Sequence, residues 1–209
     1  MRHLTKMRRS TLKLSRWQIK DVQLCRNSCS LSLDPNTAFE NLLLSEENTK
    51  VTWTKKAQEY PYRTERFTKY DQVLCAEGLS GVCYWEVEWK GPRVEVAVWQ
   101  SKDSCFGHNT LSWKIICSPS GCTFWHNSLH KGLIPPAQSR RVGVHLEYNE
   151  GKLSFYSVSR FGELTLLHRV QTTFRHPRPQ FNDRLFRRIN GSAAAYLGHS
   201  GEERCGAVH

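Results

Sequence analysis

Apolar and polar residues alternate with a period of two through the middle of the chain. The clearest run is Gly81–Trp89. There Trp85, Val87 and Trp89 fall on one side of an extended backbone, and Tyr84, Glu86 and Glu88 on the other. Successive side chains of a strand point to opposite faces, so this run predicts a central strand with one apolar and one charged face. Its aromatic and β-branched residues suit a half-buried pleated surface. Carboxylates on such an outer face are expected to be solvated.

The same reading predicts strands around Leu31–Leu33, Leu42–Ser45, Lys50–Thr54 and Gln72–Cys75. Further on it predicts strands at Val94–Trp99, Ser112–Cys117, Cys122–His126, Arg141–Tyr148, Leu153–Val158 and Leu164–Val170. Lys90-Gly91-Pro92 reads as a turn that makes Gly81–Trp89 and Val94–Trp99 a hairpin. Lys55–Tyr70, Gln100–Asn109 and His130–Ser139 read as loops. Short strands at about ten-residue spacing, with turn signals between them, predict an all-β fold: a two-sheet antiparallel β-sandwich. Near the N-terminus, Leu12, Leu14, Trp17 and Ile19 suit either a short amphipathic helix or a frayed leader.

Composition sharpens this picture. With 209 residues and 39% hydrophobic content, the chain has room for one good-sized domain plus segments outside its core. The net charge of +11 is concentrated at the ends. Residues 1–24 hold seven Lys or Arg against Asp21, and residues 175–209 hold six Arg against three acidic residues. Basic ends allow a polyanion, either nucleic acid or an anionic membrane, as the alternative partner class. No stretch approaches the ~20 apolar residues of a membrane span. Eight cysteines are present, but none forms a Cys-x-x-Cys pair and no secretory signal precedes them. The expectation is therefore a cytoplasmic protein with reduced thiols.

Catalytic chemistry finds little footing. The sequence lacks Gly-x-Ser-x-Gly, a phosphate-cradling glycine loop and His-Glu-x-x-His, so no catalytic, cofactor or metal site is expected. Recognition fits better, because loops on a rigid sheet present binding groups, and aromatic residues and Arg dominate interface energetics. The candidates are Tyr60, Tyr62, Arg63, Arg66 and Tyr70 in the first long loop, with Phe106 and His108 in the second. Trp125, His126, Asn127 and His130 follow, then Arg160 and Phe161. Trp53, Trp85, Trp113, Phe155 and Tyr156 are assigned to packing.

Several motifs in fixed order carry a resemblance. Leu33-Asp34-Pro35-Asn36-Thr37-Ala38, Leu44-Ser45 and Val51-Thr52-Trp53 resemble a PRY segment. Arg66-Phe67, Val73-Leu74-Cys75, Gly81 and Tyr84–Glu88 resemble the junction into SPRY. Ser112-Trp113, Arg141–Val144 and Gly151–Tyr156 resemble its later strands. The chain is thus similar to the PRY-SPRY domains at the C-terminal ends of tripartite-motif ubiquitin ligases, butyrophilins, pyrin and some NOD-like receptors. The resemblance implies a concanavalin-like jelly roll over residues 28–174, with PRY about 28–75 and SPRY about 76–174. Residues 1–27 would form a basic leader and residues 175–209 a divergent basic tail. It implies a non-catalytic module that binds a protein partner, in innate immune or ubiquitin-pathway signalling. Trp125 matches a position where family members place a contact aromatic. After Phe174 the chain departs from the pattern, and the usual closing strands are not evident in Arg175–His209.

Overall fold

A computed structural model describes residues 11–15, 24, 26–99, 107–134, 139–174 and 192–196. The elements are β1 (Thr11–Ser15), β2 (Leu42–Ser45), β3 (Lys50–Trp53), β4 (Gln72–Leu74), β5 (Val82–Lys90), β6 (Val94–Trp99) and β7 (Ser112–Ser118). They continue as β8 (Gly121–His126), β9 (Leu129–Ile134), β10 (Arg141–Glu147), β11 (Lys152–Val158), β12 (Leu164–Gln171) and β13 (Ser192–Tyr196). One sheet runs β12-β11-β10-β5-β1-β3-β2 and the other β4-β13-β6-β7-β8-β9. Every strand pairing is antiparallel. The expected two-sheet sandwich is the fold.

The core lies between the sheets and follows the period-two pattern. Cys83, Trp85, Val87 and Trp89 of β5 meet Val94, Val96 and Val98 of β6, Trp113 and Ile115 of β7, and Phe124 of β8 in one buried cluster. Val142, Val144 and Leu146 of β10 and Leu153 and Phe155 of β11 complete it. Trp53 packs at its margin, while Tyr156 lies half-buried outside it.

Several expectations need correction. First, the stretch around Leu12 is neither helix nor leader: β1 lies inside the first sheet, with Leu12 opposite both Val51 and Trp89. Trp17 and Ile19 lie outside the described residues. Second, β5 and β6 are not a hairpin but belong to different sheets. The connection Gly91-Pro92-Arg93, with Gly91 at φ 118°, carries the chain from one sheet to the other. Third, the segment after His126 is a strand. Asn127 and Ser128 both adopt positive φ (52° and 59°), the geometry of a tight hairpin turn, and β9 returns beside β8. Fourth, a late strand is present: β13 fills the place between β4 and β6.

Fifth, Glu86 on the outer face of β5 is not solvated, whereas the Glu88 side chain beside it is 42% exposed. Glu86 is 1% exposed; the Tyr84 hydroxyl donates to it at 3.0 Å, and Arg141 Nε lies 3.6 Å away. Tyr84 reaches this position across Gly143, where a Cβ would stand 2.5 Å from the phenol oxygen. The thiol expectation also changes. Cys29 is bonded to Cys83 and Cys117 to Cys122, while Cys75 is a buried free thiol. The register explains the second pair, because Cys117 sits directly opposite Cys122. The Cα atoms of Cys29 and Cys83 lie 5.6 Å apart where the segment around Ser28 runs beside β5.

Candidate functional site

The loop between β3 and β4 is tied down from both ends. Trp53 Nε1 donates to Asp71 Oδ2 at 3.1 Å, and the Tyr60 hydroxyl donates to the Leu42 carbonyl at 2.7 Å. Arg66 is the central fastener. Its Nη1 donates to the carbonyls of Pro35 (2.8 Å) and Ala38 (2.6 Å), and its Nη2 to that of Pro61 (3.1 Å). Its guanidinium also lies 4.6 Å from the Tyr60 ring centroid, within cation–π range. Phe67 then buries itself against Leu74, Ala97 and Trp99 on the outer face of the second sheet. Tyr60 and Arg66 are therefore occupied inside the loop. Tyr62 is 86% exposed, and Arg63 is exposed with only an Nε contact of 3.4 Å to Asn36 Oδ1. Tyr70 is half-buried.

A second cluster lies along one transverse row of the second sheet. Register aligns Ala97 with Lys114, Lys114 with Trp125, and Trp125 with His130. Lys114 is buried and pairs with Glu95 at 2.9 Å, while Arg93 reaches the same carboxylate at 3.0 Å from the rim. His108 and His130 flank the half-buried Trp125 ring at centroid distances of 5.5 and 4.9 Å. Gly107 makes this packing possible. Its φ is +83°, and a Cβ there would stand 3.0 Å from Trp125 Cβ.

The remaining candidates fall elsewhere. His126 stacks on Trp113 at 5.2 Å and its Nδ1 bonds the Ser112 carbonyl, which is a packing role. Asn127 forms the β8–β9 turn, its amide donating to the Asn109 carbonyl. Arg160 lies over the exposed Phe161 ring in the β11–β12 loop. That loop sits at the end of the sandwich where β5 crosses to β6, opposite the β8–β9 turn. Phe106 lies outside the described residues. The candidates thus form three separate groups. Sequence reading also missed Leu129, which is 72% exposed, and the Glu95–Lys114 pair. The Asn127-Ser128 turn signal could have revealed the first. Nothing local marks the second.

Two imidazoles give a pH prediction. Burial, aided by the Lys114 charge, holds His108 below the ordinary histidine value, and burial with Lys131 does the same for His168. The unfolded chain therefore takes up protons before the folded one. Their contribution is fully present above about pH 6.5 and declines as pH falls through that value toward the depressed folded pKa. Denaturant titrations between about pH 7.5 and about pH 5.5 should show stability falling with acid, with a shallower slope in His108→Gln.

Among the described residues, no group of three His, Cys, Asp or Glu is placed to hold a metal ion. No helix among them is long and apolar enough to cross a membrane.

An antiparallel two-sheet sandwich with its distinctive side chains on loops and on one sheet face defines a scaffold-type all-β domain. Residues 31–79 match the family model of PRY, the SPRY-associated domain. Stonustoxin subunit alpha of Synanceia horrida is 36% identical over 164 residues, 72% of this chain and 23% of that protein. Tripartite motif-containing protein 16 of Mus musculus is 32% identical over 160 residues, 72% of this chain and 28% of that protein. The chain spans about a quarter of the length of these relatives. A stonustoxin structure superposes with a TM-score of 0.70 at 32% identity, over 85% of this chain and 28% of that one. The TRIM65 PSpry crystal structure has the same fold, with a TM-score of 0.70 at 23% identity over 84% of this chain and 89% of that one. The chain belongs to the PRY-SPRY domain family.

Proposed function

We propose that this chain is a non-catalytic recognition module that binds a protein partner through the β3–β4 loop, with Tyr62 and Arg63 at its tip. The observation that carries this is the contrast within one loop. Arg66 and Tyr60 are consumed in fixing the backbone, and the rigid loop holds Tyr62 out in solvent. Holding an exposed aromatic still before binding lowers the ordering cost at the moment of binding. Tyr and Arg are also the side-chain types that most often anchor interfaces. The Trp125 cluster, with His108 and His130, supplies a second contact surface. The tripartite-motif relative supports a place in ubiquitin-pathway or innate immune signalling. The stonustoxin match covers under a quarter of that subunit, so nothing of the toxin's action is carried over.

The test is comparative capture. Wild-type, Tyr62→Ala and Trp125→Ala chains are each used to retain proteins from cell extract, after their thermal midpoints have been measured. Tyr62→Ala should leave the midpoint unchanged and weaken specific retention by at least about tenfold. Retention that survives both substitutions removes the loop and the sheet face as the recognition surface.

A further inference from the structure

We infer that the partner presents an acidic segment to the β3–β4 loop, with an apolar group of that segment packed on Tyr62 and its carboxylates on Arg63 and the neighbouring lysines. This rests on the recognition reading above and adds the chemistry of what is recognised. Lys55, Lys56, Arg63 and Lys69 all stand exposed on this loop, and among the described residues no ion pair neutralises them. The loop stays positive after its acids are counted: Glu59, Glu65 and Asp71 stand against Lys55, Lys56, Arg63, Arg66 and Lys69, and of the three carboxylate residues Glu59 is the exposed one. Arg63 also sits near enough to Arg66 for their like charges to repel. Asp34 offsets part of that repulsion at Arg66, and a carboxylate arriving from a partner at the exposed Arg63 would relieve it further.

The aromatic arrangement favours a peptide over a nucleic acid. Surfaces for single strands stack successive bases on several rings. Here Tyr60 lies under Arg66, Phe67 is buried and Tyr70 is half-buried, so Tyr62 is the loop's one ring standing free in solvent. One exposed ring on a loop that also carries four exposed cations matches a short acidic stretch carrying one bulky apolar residue.

The full chain is panned against a library of random peptides displayed on phage, and the selected peptides are synthesised and titrated. The expected consensus is rich in Asp and Glu around one large apolar residue. Tyr62→Ala and Arg63→Glu should each weaken these peptides by about tenfold or more, Trp125→Ala should not, and added salt should weaken them further. Both substituted side chains are exposed, and an unchanged thermal midpoint confirms that each variant is folded. Selected peptides that depend on Tyr62 but carry no acidic bias overturn this inference and leave the recognition reading standing. Peptides indifferent to both Tyr62 and Arg63 overturn the two together. Single-stranded oligothymidylate or phosphatidylserine vesicles bound through Tyr62 would make the ligand a polyanion and overturn the inference as well.

Discussion

A chain that begins at Ser28 should fail to fold cooperatively. The sequence reading places residues 1–27 outside the domain as a basic leader, yet β1 hydrogen-bonds to β5 on one side and β3 on the other. Without it, the β2–β3 hairpin has no partner in the first sheet. Leu12 is 0% exposed and belongs to the main core cluster, so its loss alone costs about 2–5 kcal/mol. Lys13 is paired with Glu46 in the β2–β3 turn, and that contact goes too. An isolated two-stranded hairpin is marginal in water, so the damage spreads beyond the deleted residues. The total is comparable with the whole stability of a domain, about 5–15 kcal/mol. Circular dichroism melting should show no cooperative transition for the truncated chain. Leu12→Ala in the full chain should melt early but still cooperatively.

Lys114→Ala should be the most damaging single change on the outer face of the second sheet. Its ammonium lies 2.9 Å from Glu95, and the two side chains are 5% and 3% exposed. Removing one member of a buried pair leaves the other charge stranded, at a cost of about 3–5 kcal/mol. Arg93 stays on the carboxylate at 3.0 Å, but its side chain is 36% exposed and offsets only part of that cost. For a chain of this size the midpoint should fall by roughly 10 °C. Replacing both partners, Lys114→Met with Glu95→Leu, should recover much of it, because neither charge then remains buried. Arg93→Ala alone should cost under about 1 kcal/mol. Equal losses from Arg93→Ala and Lys114→Ala would show that burial does not set the energetics of this triad.

How far the sequence could be read depended on whether the information was local. Period two exposed the inner faces of β5, β10 and β11, because Trp85, Val87 and Trp89, then Val142, Val144 and Leu146, then Leu153 and Phe155 recur at every second position. It could not say which sheet β6 joins, since the inner face marked by Val94, Val96 and Val98 would suit either sheet. β13, Ser-Ala-Ala-Ala-Tyr, has side chains too small for alternation to stand out, and the Leu12–Leu14 alternation of β1 is set among basic residues that read equally as a leader. The burial of Glu86 and of the Glu95–Lys114 pair depends on what covers each face, and strand pattern is silent on that. Within the candidate β3–β4 loop, residue type could not tell which side chains are tied down and which stand exposed. Tyr60 and Tyr62 look alike in sequence, as do Arg63 and Arg66. They differ because carbonyls from Pro35, Ala38 and Leu42, remote in the chain, lie within reach of one member of each pair.

The central claim, that a stiff sandwich offers its β3–β4 loop as the binding tip, is tested most directly by amide hydrogen exchange on the full chain. Exchange is followed alone and with a saturating acidic peptide selected as above. The prediction is slowed exchange confined to residues 54–71, with the strands of both sheets already protected and unchanged. Protection that appears instead along β12, or across the Trp125 row with the loop unaffected, would contradict it.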